Sequence, residues 1–450
     1  MMRSLYSGVA GLKTHQIKMD VIGNNIANVN TVGYKSSSVT FSELMYQTSQ
    51  NASGANAATG RGGINPKQIG LGVKSGAITT AIEAEGASQN TGNPFDIQIS
   101  GSSFFIVNNG STNFFTRAGA FTVDANGTLV MTTNGYNVMG WQADEQGNII
   151  KDTVSPLQIM SAKNMTADPE ATTNAYMSGI IDKNDTNLTT GLVSTIEFYD
   201  AKGYSYTAKF SFVKTTTDGE YQMKCTDILD SNAQSIFAGG TGTSSVDEVL
   251  GDANGITVAY DTRTGVFKSV GGAGSTFTMN MTDLDDINPA FTTNITVDMS
   301  TTKNIDNKGK STINGKSGTV TQSDLGAGRA VGEMDSIAIG TDGKITATYT
   351  NGITKVLGQI AVANFANPSG LKKEGDNLYS ATQNSGQFDG IGQDVTADNG
   401  GLSTGVLEMS NVDLSSEFTE MITTQRGFQA NSRIITVSDT LIEELVNLKR

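Results

Sequence analysis

The sequence predicts a mainly β, multi-domain protein whose N- and C-terminal helices pair as a coiled coil. Three observations support this fold class. Both ends carry apolar residues at the three- and four-residue spacing of amphipathic helices. Between the ends lie short runs of β-favouring residues separated by Asn, Gly and Asp turns. The composition agrees, because the 450 residues include 52 glycines, only 6 prolines and 16% charged residues, a mixture that suits many short strands joined by tight turns.

The first predicted element is a helix over residues 1–30. Its apolar positions follow the spacing of a coiled-coil seam, and they include Leu5, Val9, Leu12, Met19 and Ile26. An isolated helix of this length is marginal in water, so its apolar stripe requires a partner. We expect that partner to be the other terminal helix, a neighbouring subunit, or both.

Asparagines crowd the end of this helix, in the segment DVIGNNIANVNTVGYK of residues 20–35. Asn24, Asn25 and Asn28 fall on faces away from the apolar stripe. There an amide can bond either a neighbouring subunit or the departing backbone of its own chain. Asn30 and Gly33 suit the left-handed turns by which a helix exits into a connector.

The middle of the chain is predicted to contain one β domain whose two parts are separated by an insertion. Residues 31–73 are rich in Gly, Ala and Asn without a sustained period, which predicts a loop or an extended connector. Residues 74–150 and 341–403 both contain short runs of β-favouring residues and are predicted to be two parts of one β domain. The more polar, Thr-rich residues 151–340 between them are predicted to form one or two inserted outer β domains.

The last predicted element, residues 404–450, contains a second amphipathic helix. Its stripe comprises Leu414, Phe418, Met421, Phe428, Ile435, Ile442 and Leu445. Ser410 or Asn411 is expected to cap its first free amides. An amphipathic helix ordinarily packs on its own domain. These two helices occupy the ends of the chain, however, and the first is followed by a connector, which favours assembly between subunits.

The sequence offers little for catalysis. His15 is the only histidine and Cys225 the only cysteine, which excludes a multi-histidine metal site and an internal disulfide. The Gly315–Lys316 pair lacks the first glycine of a phosphate-binding loop, because Lys310 occupies that position. We therefore expect no enzyme activity, no cofactor and no catalytic or metal-binding residues.

Charge and hydropathy limit the partners. The formal net charge of -14 repels nucleic acid and anionic membrane surfaces. No window reaches the roughly 20 apolar residues of a membrane span, and the opening residues lack the apolar core of a cleaved secretory signal. We expect neither nucleic-acid binding nor membrane insertion.

The quoted ends resemble a known family. The segment NNIANVNTVGYK near the N-terminus, and LEMSNVDL with QRGFQANSR near the C-terminus, are similar to the terminal signatures of the bacterial flagellar axial proteins, the rod and hook group. The β segments SFFIVNN and FTRAGAFTVDANGTLV resemble the shared β domain of that group. The added residues between 152 and 340 indicate a hook-type member, because similar rod proteins are much shorter.

This resemblance implies a structural subunit that polymerises helically into a curved hollow tube, a universal joint transmitting torque from basal body to filament. It implies self-association, contacts with the hook cap, the rod and the hook–filament junction proteins, and export by the flagellar type III apparatus to an extracellular position. The alternatives are a distal rod protein of the same family and a secreted β-rich adhesin.

The resemblance and the periodicity together nominate assembly residues at both ends. The N-terminal set is Leu5, Val9, Leu12, Met19, Asn24, Asn25, Ile26, Asn28, Gly33 and Tyr34. The C-terminal set is Asn411, Leu414, Phe418, Met421, Gln425, Arg426, Phe428, Asn431, Ile435, Ile442 and Leu445.

Overall fold

A computed structural model describes residues 2–54, 60, 62–144, 146–238, 244–272, 274–398 and 400–448. The chain divides into two units, and each is considered by itself. Unit 1 comprises residues 1–162, 337–347 and 355–450, and unit 2 comprises residues 163–336 and 348–354. The predicted fold class is confirmed, since strands dominate and long helices stand at both ends.

The terminal helices of unit 1 are α1, Met2–Ala27, and α3, Leu414–Asn447. Gly33 leaves the first helix with a φ of 69°, as predicted, whereas Asn30 keeps a negative φ. The cap of α3 differs from the prediction. Asp413, rather than Ser410 or Asn411, accepts hydrogen bonds from the Ser415 and Ser416 amides at 2.9 and 3.5 Å, because Asn411 is engaged elsewhere.

Strands replace the irregular connector that was expected over residues 31–73. They are β1 Ser37–Glu43, β2 Tyr46–Gln50, β3 Lys67–Gly70 and β4 Val73–Thr80. β1 pairs with β4 and β2 with β3, both antiparallel, so the segment forms a ribbon. The pairing was missed because β2 and β3 are exposed on both faces and β1 and β4 are at most half-buried, so the ribbon needs little alternation of apolar and polar residues.

The outer half of this ribbon is expected to open readily in the isolated chain. All residues of β2 and β3 are exposed, so few buried contacts oppose local opening. Their amides will exchange with solvent at least about tenfold faster than those of the buried strand Phe104–Asn108. Hydrogen exchange on the monomer measures this difference, and equal protection of the two regions would contradict it.

The β part of unit 1 draws its strands from both sides of the insertion. They are β5 Ser88–Asn90, β6 Ile97–Ser100, β7 Phe104–Asn108, β8 Asn113–Thr116, β9 Phe121–Val123, β10 Leu129–Met131, β11 Asn137–Gln142 and β12 Ser155–Pro156. Those after the insertion are β26 Val362–Ala363, β27 Lys372–Gly375, β28 Leu378–Ser380, β29 Gly401–Thr404 and β30 Val406–Glu408.

Pairing across the insertion joins these segments. β28 pairs with β8, β29 with β6 and β30 with β5, all antiparallel. The aromatic core between them contains Phe104, Phe115, Trp141 and Phe365, with the Phe115 and Phe365 ring centroids 4.7 Å apart. β30 is the last strand before α3, and it places the start of α3 beside the segment by which the chain leaves α1.

Unit 2 contains most of the remaining strands. They are β13 Thr166–Ala167, β14 Asn174–Ile181, β15 Leu192–Tyr199, β16 Ser205–Lys214, β17 Glu220–Leu229, β18 Ile256–Tyr260, β19 Phe267–Val270, β20 Thr276–Met279, β21 Ile295–Asn304 and β22 Asn314–Ser317, with the short helix α2, Asn187–Thr190. β23 Gly332–Ile339, β24 Lys344–Tyr349 and β25 Thr354–Ile360 follow, where the chain alternates between the units.

Two sheets of unit 2 share one apolar core. One has the order β20-β21-β14-β22, with β14 and β21 parallel, and the other has the order β15-β16-β17-β18-β19. The core includes Phe198, Phe210 and Phe212. The turn DAKG, residues 200–203, joins β15 to β16, with Gly203 at a φ of 82°.

Candidate functional site

The two terminal helices pack against each other in antiparallel orientation. Lys18 of α1 forms an ion pair with Glu420 of α3 at 3.0 Å, and Gly8 lies further along against the Asn431 carbonyl. The predicted pairing of the terminal helices is therefore confirmed. Small residues allow the close approach, because a Cβ at Gly11 would lie 2.8 Å from the Asn431 side chain.

The pairing of the two helices covers their apolar stripes only in part. Glycines allow the helices to approach, but bulky residues also lie at the contact, since a Cβ at Gly8 would lie 3.4 Å from Ile435 and 3.7 Å from Ile434. The exposed apolar residues of α3 are Leu414, Phe418, Ile422, Ile434, Val437, Leu441, Leu445, Val446 and Leu448. Val9, Leu414, Phe418 and Leu445 are each at least 39% exposed, so of the predicted partners the other helix of the same chain does not cover them.

The other predicted helix residues divide into two groups. Leu5, Leu12, Met19, Ile26, Met421, Phe428, Ile435 and Ile442 are half-buried. Gln425 and Arg426 are exposed, and the Arg426 guanidinium donates to Gln429 of its own helix at 3.3 Å. Asn431 is half-buried and donates to the Gly427 carbonyl at 3.0 Å, so this amide serves its own helix.

Asn25 lies at a buried junction where α1 meets the ribbon and α3. Its side-chain amide donates to the Ser37 carbonyl at 2.8 Å and to the Glu417 carboxylate at 2.9 Å. Its side-chain oxygen accepts from the Ser37 amide and the Tyr34 hydroxyl. Of the two roles predicted for these asparagines, Asn25 takes the second, because it bonds the departing backbone of its own chain.

Asn24 and Asn28 flank this junction and remain more accessible. The Asn24 amide donates to the Tyr34 hydroxyl at 3.0 Å, and the Asn28 amide donates to the Asn24 carbonyl at 2.9 Å. With Lys373 and Asn377 they line a polar groove of about 150 Å³. Burial raises the pKa of Tyr34, and the nearby Glu417 charge raises it further, so this phenol stays a hydrogen-bond donor.

The Asn411 side chain holds the segment before α3 in place by hydrogen bonds. Its side-chain oxygen accepts from the Ser36 amide at 2.8 Å, while its amide donates to the Ala81 and Ala84 carbonyls at 2.9 and 3.1 Å. The side chain thus joins the start of the ribbon to the loop after it. This engagement explains why Asn411 does not cap the helix.

A buried group of charges lies next to these amides. The Lys35 ammonium and the Glu408 carboxylate are 2.6 Å apart, with both side chains fully buried, and a guanidinium nitrogen of Arg117 lies 3.9 Å from the same carboxylate. Burial lowers the pKa of Lys35, an effect that the Glu408 hydrogen bond and charge oppose. Burial likewise lowers the pKa of Arg117.

Sequence reasoning did not select these three residues. Lys35 and Glu408 both stand inside the quoted terminal motifs, and Arg117 interrupts an aromatic run in FFTRAG. An isolated charge in an apolar strand is a signal for a buried partner. The sequence does not identify that partner, because Glu408 is 373 residues away from Lys35 along the chain.

His15 gives the helix pair a pH dependence. Its ring lies against Gly427 and meets the Phe41 ring edge-on at 5.7 Å. Burial lowers the pKa of His15 below its usual 6.5, and the Lys18 charge lowers it further. A depressed folded-state pKa contributes stability that is complete above pH 6.5 and lost as the pH falls through the folded value.

We therefore expect the thermal midpoint of unit 1 to fall more between pH 7.5 and 5.5 in the wild type than in His15→Gln, which cannot titrate. Burial raises the pKa of Glu417, which favours the folded state toward acid pH and is common to both proteins. Melting curves followed by Trp141 fluorescence measure the difference. Parallel pH profiles would contradict the prediction.

Groups of side chains suited to catalysis or metal binding are scarce in the part of the chain that the structure describes. Within it, no group of three or more His, Cys, Asp or Glu side chains is arranged to hold a metal ion. None of its helices has the length and apolarity to span a bilayer. Burial raises the pKa of Cys225 to about 12, so its thiol is protonated at neutral pH.

Paired terminal helices that leave a row of large apolar side chains exposed on α3 are typical of a self-assembling structural protein. Family comparisons agree with this class. "Flagella basal body rod protein" matches residues 5–35, "Flagellar hook protein FlgE/F/G D1 domain" matches residues 98–173, and "Flagellar basal body rod FlgEFG protein C-terminal" matches residues 403–448.

Full-length relatives identify the family. The chain is 38% identical to the flagellar hook protein FlgE of Borreliella burgdorferi and 35% identical to that of Treponema pallidum, covering 100% of each pair. It is 31% identical to the flagellar basal-body rod protein FlgG of Bacillus subtilis, again over 100% of both chains. The chain belongs to the flagellar hook protein family.

A solved structure is also similar. The flagellar hook protein FlgE2 of Helicobacter pylori shares 14% sequence identity with this chain, at a TM-score of 0.41. The match covers 71% of this chain and 100% of that one.

Proposed function

We propose that this protein is the structural subunit of a bacterial flagellar hook, polymerising helically into a curved hollow tube that transmits torque from the basal body to the filament. The observation that carries the proposal is the unpartnered apolar surface of α3. Val437 is 57% exposed, Leu441 47% and Phe418 51%. Large apolar side chains collected on one helix indicate a protein partner.

A second copy of the same chain is the partner that these helices fit. The other helix of the same chain leaves these apolar side chains of α3 exposed, so they remain available to a neighbour. Tyr6 and Val9 of α1 are 68% and 54% exposed as well. Repetition of one such contact in the same direction produces a helical polymer rather than a closed dimer.

The proposal assigns a role to each part of the chain. Residues 1–30 and 404–450 line the channel, residues 74–150 and 341–403 form a middle layer, and residues 151–340 lie outermost. The ribbon and the polar outer surfaces allow neighbouring subunits to slide when the tube bends. Contacts with the cap, the rod and the junction proteins, and export through the type III apparatus, belong to the same proposal.

Electron microscopy of the purified protein after induced polymerisation tests the proposal. Curved hollow tubes are expected for a hook subunit. Straight tubes would favour a distal rod protein, a candidate kept because of the relative named a rod protein in Bacillus subtilis. Persistent monomers under all polymerising conditions would overturn both and favour an adhesin.

A further inference from the structure

Two passages of the chain connect the helices of unit 1 to its β part, residues 28–36 after α1 and residues 409–413 before α3. They are bonded to each other. The Gly33 amide donates to the Glu408 carbonyl at 2.8 Å, and the Asn411 amide donates to the Tyr34 carbonyl at 3.4 Å. Any tilt of the helix pair relative to the β part must therefore move both passages together.

The buried charges anchor this pair of passages to the β part. Lys35, from the first passage, also donates to the Ala84 carbonyl at 2.6 Å, and the Glu408 carboxylate also accepts from the Gly86 amide at 3.0 Å. Arg117 follows β8 and donates from its guanidinium to the Ile99 carbonyl at 3.1 Å and to the Gly101 carbonyl. Three separate regions of the chain thus meet at a single carboxylate.

Buried charges of this kind add little net stability to a fold. Desolvating two ions consumes most of their mutual attraction, and well-packed apolar residues commonly stabilise a core as much. What an ion pair adds is direction, because the Glu408 carboxylate oxygen that accepts from both the Lys35 ammonium and the Gly86 amide is satisfied in one arrangement only. An apolar contact at the same place would tolerate sliding.

We propose that Lys35, Glu408 and Arg117 form a clamp that sets the direction in which α1 and α3 leave the β part of unit 1. The clamp residues are positioning residues: they touch no neighbouring subunit, and they aim the apolar surface of α3 at one. A regular polymer needs this direction to be the same in every copy. The inference rests on the proposed function for its purpose, whereas the clamp itself is a property of the monomer.

Glu408→Gln is the sharpest single change. It keeps the shape of the side chain but leaves the ammonium of Lys35 and the guanidinium of Arg117 without their common anion. The two passages then lose their charged anchor to the β part, and the helix pair samples several directions. Glu374→Gln is the matched control, because Glu374 forms an exposed ion pair with Lys372 in the same unit, at 2.8 Å.

The direction is measurable in the monomer by spin labels at two exposed positions, Thr423→Cys on α3 and Thr133→Cys in the β part, with the buried Cys225 changed to Ala. Pulsed electron resonance will give a narrow distance distribution in the otherwise wild-type chain and in Glu374→Gln. It will give a distribution at least twice as broad in Glu408→Gln. Equal widths in all three proteins would overturn the proposal.

A second variant guards against simple unfolding. Lys35→Met, Glu408→Met and Arg117→Met together remove all three charges while filling the site, so none of the three ions is left buried without a counter-charge and Trp141 fluorescence will report a folded unit 1. We expect broadened label distances here too, and tubes that are fewer and irregular. Regular tubes at wild-type yield from this folded triple variant would contradict the clamp. Failure of the wild type itself to form tubes would instead contradict the proposed function and leave the label result standing.

Discussion

Val437→Asp is expected to abolish tube formation while leaving the monomer folded. Val437 is 57% exposed on α3, so a carboxylate there stays hydrated in the monomer and costs little. In a polymer the same position is covered by a neighbour, and an unpaired carboxylate in an apolar contact costs several kcal/mol. Since about 1.4 kcal/mol is a factor of ten, the concentration needed for polymerisation rises more than roughly a hundredfold.

Sedimentation and electron microscopy of the polymerised protein measure this loss, with Thr436→Asp as the matched control. Thr436 is exposed and precedes Val437 by one residue, so it points about 100° away around the helix and adds the same charge. Tubes at wild-type yield from Val437→Asp, or equal losses from both variants, would show that this surface of α3 is not the assembly contact.

Gly86→Ala is expected to destabilise unit 1 by about 3 kcal/mol, the upper range for inserting atoms into a packed site. A Cβ at Gly86 would lie 1.8 Å from the Met409 carbonyl oxygen, which belongs to the backbone and cannot rotate away. The two segments must therefore separate, which strains the 2.8 Å hydrogen bond from the Met409 amide to the Ala87 carbonyl. It also weakens the hydrogen bond from the Gly86 amide to Glu408.

Urea unfolding followed by Trp141 fluorescence reports this loss in unit 1, because Trp141 is the only tryptophan in the chain. Gly23→Ala is the control. Gly23 lies within α1 with open space around its Cβ position, so alanine there should stabilise the helix by up to about 1 kcal/mol. A decrease in unfolding free energy below about 1 kcal/mol for Gly86→Ala would mean that the backbone segments at Gly86 and Met409 can separate at little cost.

Periodicity predicted the terminal helices because a helix is a local structure. The spacing of Leu5, Leu12 and Met19 requires no knowledge of the rest of the chain. Strands with buried faces were equally readable. The ribbon from β1 to β4 was missed, since its pairing joins distant residues such as Ser37 and Thr80 and none of its strands has a fully buried face.

The orientation of the helix faces was also beyond the sequence. Apolar residues at heptad spacing predict that a face is covered, but they do not identify what covers it. In unit 1 the small residues Gly8 and Gly11 lie close to α3, while Phe418, Val437 and Leu441 of α3 stay exposed. The choice between these faces depends on how closely two particular backbones can approach, and periodicity carries no such information.

The sequence by itself determined the fold class, the two terminal helices and the family resemblance, because all three reside in local patterns. Only the tertiary structure decided what the asparagines and the clamp do. Asn25 bonds Glu417 across 392 residues of chain, and Lys35 meets Glu408 across 373. Hydrogen bonds and ion pairs act over about 3 Å, so their partners depend on which distant segments folding brings together.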